Sequence, residues 1–371
     1  MAALSWLVAL AAPLSGGATT PAQPTALAVR VDRIVAPDGT LVAGGWIVVR
    51  GGRIEAVAAA SAPAGAQTLE FDGGVAAPGF IDAVTELGAA GDLTEPARAF
   101  TPELQAADAF HPDHSSFLRA ARGGVTTVGI SPTSGNVVGG RLAVVRTHGE
   151  QGVAVLAGAG PMRLALSPSA FDYTRAPTSR IGALPKLREM VAADALKGAG
   201  ATIVDAGTPD EIRLAIETIG AAGRSVALLQ PRRADDALES VKGSGAFALV
   251  GPFDLDTSER DLRLPLVLAA AGVSVAFTAG GDPAALRLTA ALATRAGLDP
   301  KLALQALTSV PARILGVDSD SASLQAGRRA DLVVFHGDPL DLGSKIELVL
   351  VGGSLVAPKA ATSVAPKKES R

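Results

Sequence analysis

Apolar and polar positions along the chain change rhythm twice. From Leu27 to Ala77, short β-branched segments such as "LAVRVDRIV" and "GGWIVVRGGRIEAV" alternate and are separated by Asp-Gly and Gly-Gly pairs. That is the pattern of consecutive hairpins. From about Gly79 to Leu315 apolar strands precede amphipathic helices: "GFIDAV", "SSFLRAARGG", "VTTVGIS", then "ATIVDAG" with "PDEIRLAIETIGAAG", "SVALLQP", "AFALVG" with "DLRLPLVLAAAG", and "SVAFTAGG" with "DPAALRLTAALATRAG". Such alternation predicts parallel βαβ units, and strands apolar throughout are expected where both faces of a sheet are covered. The closing "ADLVVFHGDP" and "IELVLVGGSLV" return to strand and hairpin character. The expected architecture is an α/β barrel over residues 78–323 beside a small β-sandwich built from both ends, residues 27–77 and 324–357.

In a parallel barrel the chemical groups project from the C-terminal strand ends. Here those ends carry Val84 and Glu86, Ser131 and Thr133, Asp205, Gln230, Gly251 and Asp254, and Asp282. The pocket so predicted holds carboxylates and no histidine.

Composition narrows the function. With 33 Lys+Arg against 36 Asp+Glu the net charge is −3, so the basic footprint of a nucleic-acid binder is missing. At 371 residues and 48% hydrophobic the chain can bury a large core. Cysteine is absent, which excludes disulfides, thiolate ligands and a cysteine nucleophile, and the only histidines are His111, His114, His148 and His336. The apolar run Ala2–Leu14, followed by Gly16, Gly17 and Ala18, reads as a signal peptide, with a linker to residue 26, and predicts a periplasmic or secreted protein. No later apolar run is long enough for a membrane span. Residues 358–371 read as a basic, Ala/Pro-rich solvated tail.

Several stretches resemble the amidohydrolase superfamily, specifically its imidazolonepropionase-like branch: "VAAPGFIDAVTELG", "FLRAARGGVTTVGISPTSGNVVGG", "SRIGALPKLREMV", "LAAAGVSVAFTAGGDPAALRLTAALATRAGLDPKLALQALTSVPARILGV" and "ASLQAGRRADLVVFHGDPLD" with "IELVLVGGSLV". The resemblance runs from Leu27 to Val356. It implies a distorted (β/α)8 TIM-type barrel with a terminal β-sandwich, hydrolysis of non-peptide carbon–nitrogen bonds in cyclic amides or N-acyl and peptide-like small molecules, and often a homo-oligomer. It also implies a divalent metal, usually zinc, held by histidines of the first and later strands, with a last-strand Asp moving the proton. The two first-strand histidine positions match Val84 and Glu86, a later one matches Asp205, and Asp282 is the candidate for the catalytic Asp. Val84 can donate nothing to zinc, whereas an oxygen trio of Glu86, Asp205 and Asp282 suits a harder ion such as Mg²⁺, Ca²⁺ or Mn²⁺ if it converges.

Other motifs have simpler readings. His111 and His114 stand three apart, but Pro112 and the serine pair suggest a helix start with Asp113 or Ser115 near the cap. "VLAGAGPM" is a turn, not a dinucleotide loop, and Ser131 and Ser134 have no histidine base. Asn136, Gly139 and Gly140 are expected in a loop at the barrel mouth. Asn136, Gln230 and Arg232 are candidate substrate contacts, while Arg232 and Arg233 also suit neutralising Asp205 or Asp235. Two function classes follow: a hydrolase with a reduced oxygen-ligand metal site, or an inactive barrel that binds a small molecule or assembles with a partner.

Overall fold

A computed structural model describes residues 26–356 except Ala90 and Asp92. The expected leader, apart from Ala26, and the tail lie outside the described residues. Strands β1 (Leu27–Val35), β2 (Leu41–Arg50), β3 (Arg53–Ala59) and β4 (Gln67–Pro78) come first as predicted; Asp38-Gly39 and Gly51-Gly52 fall between strands, whereas Gly44-Gly45, expected as a turn, lies inside β2. They share one seven-stranded sheet with the last three strands, β15 (Leu332–His336), β16 (Ile346–Val351) and β17 (Ser354–Leu355), in the order β17-β16-β15-β4-β1-β2-β3. Both ends of the chain therefore meet at the β4–β15 pair, where Ala77 lies opposite Val333. Alternation divides the side chains between two faces. Val29, Val31, Ile47, Val49, Leu332, Val334 and Leu350 form a core of their own. Val75, Ala77, Val333, Phe335, Val349 and Val351 join the main core, and Phe335 stacks on Phe80 at 5.7 Å between ring centroids.

The middle of the chain is mixed α/β. β5 (Phe80–Thr85) leads through α1 (Ser115–Arg122) to β6 (Val125–Ile130), its parallel partner; β7 (Val138–Arg141), β8 (Ala143–Arg146) and β9 (Ala154–Ala157) follow. One sheet has the order β5-β6-β8-β9, with β8 and β9 antiparallel additions. The second begins at β10 (Met162–Ala165) and, after α2 (Arg180–Ala192), continues through β11 (Thr202–Asp205), α3 (Pro209–Thr218), β12 (Val226–Leu229), α4 (Leu238–Val241), β13 (Phe247–Val250), α5 (Glu259–Ala270) and β14 (Ser274–Phe277). These five strands are parallel, with β7 added antiparallel at the β10 edge. Helices α6 (Pro283–Arg295), α7 (Pro300–Leu307) and α8 (Ser309–Leu315) lead back to the terminal sheet.

The first and last parallel strands are stitched by side chains. Thr278 Oγ1 donates to the Val84 carbonyl at 2.8 Å, and the Ala279 N–H donates to Asp82 Oδ2 at 3.0 Å. Among the described residues no helix is long and apolar enough to cross a membrane.

Two local expectations need revision. The cap of α1 is His114 itself: Nδ1 accepts from the Ser116 N–H at 3.3 Å and lies 2.7 Å from its hydroxyl. An imidazole nitrogen thus fills the place expected of Asp113 or Ser115, because a neutral ring nitrogen can accept from an orphan N–H as a hydroxyl does. Gly139 and Gly140 belong to strand β7 rather than to a mouth loop. A side chain at Gly140 would meet the Leu104 backbone carbonyl at 2.5 Å, and its φ of +108° is a glycine conformation.

Candidate ligand-binding site at the strand ends

Six strands and the loops after them deliver polar groups to one cavity of about 200 Å³. Val84, Thr85 and Glu86 come from the end of β5, Ser131 to Ser134 from the turn after β6, and Arg163 from β10. Asp205 closes β11, Leu229 and Gln230 follow from β12, and Thr278 and Gly280 come from the chain just beyond β14.

Arg163 is the group that strand-end reasoning missed. It stands inside an apolar four-residue strand, "MRLA", and is only 2% exposed. Nη2 donates to Ser134 Oγ at 2.6 Å and lies 3.8 Å from Asp205 Oδ2, an ion pair without a hydrogen bond. Burial pushes the guanidinium down to about 10, and the negative charges of Asp205 and Glu86 oppose that shift. Nε and Nη1 are buried with no partner. The available signal was a lone cation in an otherwise apolar run between two turns.

Asp82 lies behind the cavity, 1% exposed, accepting from the Val84 N–H at 3.3 Å and from the Ala279 N–H. Burial raises its carboxyl to about 6 against the opposing pull of these hydrogen bonds.

Gln230 marks the junction between cavities. With Gly280 it also lines a second space of about 620 Å³, whose walls include Pro231, Arg232, Pro252, Phe253, Asp261 and Leu264. Its backbone is left-handed, φ 49°, a conformation that costs a non-glycine residue on the order of 1 kcal/mol. The position is held by its N–H donating to Leu249 O at 2.8 Å and its carbonyl accepting from the Arg232 N–H at 2.8 Å.

The candidate residues thus separate. Glu86, Asp205 and Gln230 line the inner cavity, and Arg232 lines the outer one. Asn136 is buried, its amide donating to the Glu95 and Arg98 carbonyls at 2.8 and 2.5 Å, so it fastens a loop. Asp282 is exposed immediately before α6, outside the lining of either cavity. The arginine pairings also differ from expectation: Arg233 binds Asp236, Arg260 binds Asp235, and Arg163 is the partner of Asp205. Arg163 reaches Asp205 from inside the sheet, where Arg232 and Arg233, both exposed, do not.

A zinc site fits this lining poorly. Val84 has no donor atom, no histidine borders the cavity, and its two carboxylates share the space with a buried cation. Among the described residues no three His, Cys, Asp or Glu side chains come together in a way that could hold a metal ion.

Comparison with known proteins places this fold. Solved structures that share it include an amidohydrolase from Thermotoga maritima MSB8, at TM-score 0.77 and 23% identity over 90% of this chain and 100% of that one. Molinate hydrolase aligns at TM-score 0.60 and 13% identity over 90% and 95% of the two chains. A putative prolidase from Bifidobacterium longum aligns at 0.52 and 20% over 91% and 97%. Residues 252–361 match the amidohydrolase family. No curated protein matches the chain. The fold is therefore the one these amidohydrolase structures share.

Proposed function

We propose that this protein is an exported amidohydrolase-superfamily member whose metal site has degenerated and whose strand-end cavity now binds a small molecule without metal-dependent turnover. In this reading the two middle sheets are the arcs of a distorted (β/α)8 barrel and the terminal sheet is its small sandwich. The ligand class descends from the superfamily's chemistry, carbon–nitrogen compounds such as cyclic amides, N-acyl amino acids or dipeptides. One observation carries the proposal: Arg163 is buried in the lining of the cavity beside Asp205, so the cavity already holds a fixed positive charge. A guanidinium cannot activate water as a bound metal ion does, but it orients anionic and carbonyl groups.

Protein purified without chelator is expected to carry well under one equivalent of zinc by elemental analysis. In a thermal-shift screen Zn²⁺, Mn²⁺, Mg²⁺ and Ca²⁺ should leave the midpoint unchanged, while members of an amide and dipeptide panel raise it without being hydrolysed. Near-stoichiometric zinc, or divalent-dependent hydrolysis that disappears in Glu86→Gln/Asp205→Asn, would instead establish a working metal hydrolase.

A further inference from the structure

We infer that Arg163 is a carboxylate receptor, so that the ligand of this cavity is a small carboxylic acid whose acid end enters the inner chamber and whose body extends into the outer one. The inference rests on the ligand-binding reading above and names the ligand's chemistry.

A guanidinium carries five N–H donors in a planar fork. At Arg163, Ser134 takes one at Nη2, and Asp205, at 3.8 Å, takes none. The Nε donor and both Nη1 donors are buried without partners. A buried cation left so under-satisfied costs several times what one neutral polar group costs, and the group that best satisfies a fork is a carboxylate binding two of its N–H groups at once. The residue lines the cavity, so the partner can arrive there as a ligand.

Neighbouring charge does not forbid this. Glu86 is exposed at the mouth and screened by solvent. Asp205 partly offsets the Arg163 charge at 3.8 Å but leaves the end-on pair of Nη groups without a carboxylate hydrogen bond. Space sets the rest of the ligand. The inner chamber, about 200 Å³, suits a carboxylate and little more. Gln230 and Gly280 are common to the two chambers, and the outer one, about 620 Å³, offers Pro231, Pro252, Phe253 and Leu264 beside polar Asp261 and Arg232. A partly apolar tail with an amide group matches that lining.

Isothermal titration of the full chain with N-acetylleucine, its neutral counterpart N-acetylleucinamide, and sulfate at constant ionic strength tests the assignment. The acid should bind roughly tenfold or more tightly than the amide, the difference expected of a charge-assisted hydrogen-bonded pair. Arg163→Met should remove that preference, so that acid and amide bind alike. If Arg163→Met alone does not fold, Arg163→Met/Asp205→Asn, which deletes both charges, gives the same readout, and the acid-to-amide comparison in the unmodified protein needs no variant. Equal affinity for acid and amide would overturn the carboxylate assignment yet leave a ligand-binding cavity. Sulfate binding as tightly as the acid would overturn it in favour of an unselective anion site. Absence of binding by every probe would overturn both this inference and the ligand-binding reading.

Discussion

The ionisation of Asp82 couples to folding. Its carboxyl titrates at about 6 in the folded protein against 3.8 for an ordinary Asp, because burial penalises its charge. Between those values the folded state holds the proton that the unfolded chain has released, so this group's contribution to stability is greatest below pH 3.8 and falls as pH rises to about 6. The full change is roughly 3 kcal/mol. Asp82→Asn removes the titration, so urea unfolding from pH 4 to 7 should show the variant's stability relative to the parent rising by an amount of that order. A constant difference would show that Asp82 ionises as freely in the fold as in water. Arg163 and Asp205 should behave as a unit. Arg163→Met strands a half-buried carboxylate, and adding Asp205→Asn should recover part of the stability lost, a coupling of about 1–3 kcal/mol in a double-mutant cycle. Additive losses would mean that the 3.8 Å pair is energetically silent. At this scale Glu86, Asp205 and Gln230 were legible because a strand's last residues fix where side chains must point. Arg163 and Asp82 were not, because nothing local distinguishes a charged residue that a strand buries from one that it exposes; only neighbouring strands decide.

Elements were legible in proportion to their length and punctuation. Helix α3 announces itself with Thr208, Pro209 and Glu211, and the structure closes the capping box: Glu211 Oε2 accepts from the Thr208 N–H at 3.1 Å, and Thr208 Oγ1 accepts from the Glu211 N–H at 3.5 Å. Glu211 also accepts from Arg180 at 2.6 Å and from the Gly207 N–H at 2.9 Å, so the cap ties α2 to the turn that follows Asp205. Thr208→Ala should therefore cost about 1 kcal/mol in chemical denaturation, as a lost N-cap does, whereas Glu211→Ala, which also strands Arg180, should cost more. Equal losses would show that the Arg180 contact contributes nothing. The strands outside the strand–helix rhythm were the illegible ones. β7, β8 and β9 are no shorter than β11 to β14, at four residues each, but each is followed by another strand instead of an amphipathic helix, and β7 and β8 pair antiparallel with strands that are not their chain neighbours. β6 shows the reverse, a strand whose glycine is dictated by its neighbour: a Cβ at Gly129 would lie 2.3 Å from the Ala83 carbonyl oxygen of β5. Gly129→Ala must push β5 and β6 apart at the floor of the cavity, and a loss of about 1–3 kcal/mol is expected.

Across the whole molecule, the terminal sheet and the α/β body share one core. Val75, Val333, Phe335 and Val349 pack in the same cluster as Phe80, Phe117, Ala120 and Val128, so one apolar interior runs across the seam, while the other face of the terminal sheet keeps a smaller core of its own. A polar tie reinforces the seam. Arg146 of β8 lies 3.9 Å from Asp331, which accepts from the Gly352 N–H at 2.6 Å and from the Ser321 hydroxyl at 3.3 Å. Burial raises the Asp331 carboxyl, and Arg146 is nearby to oppose that shift. The β strands at the two ends of the sequence reveal that both termini fold together, but not that their sheet shares its core with the body, since alternation marks two faces without saying what covers each. Shared packing predicts a single cooperative transition: far-ultraviolet circular dichroism, which reports the helices of the body, and fluorescence of Trp46, which sits in β2 of the terminal sheet, should give coincident denaturation curves. Trp6 lies outside the described residues, so the optical measurement is best made on Trp6→Phe. Phe335→Ala, which empties a fully buried ring site at the seam, should shift both curves together by about 3–5 kcal/mol. Two separated transitions, with only the tryptophan curve moved by Phe335→Ala, would show instead that the terminal sheet is an independent unit and that the cavity's scaffold stands without it.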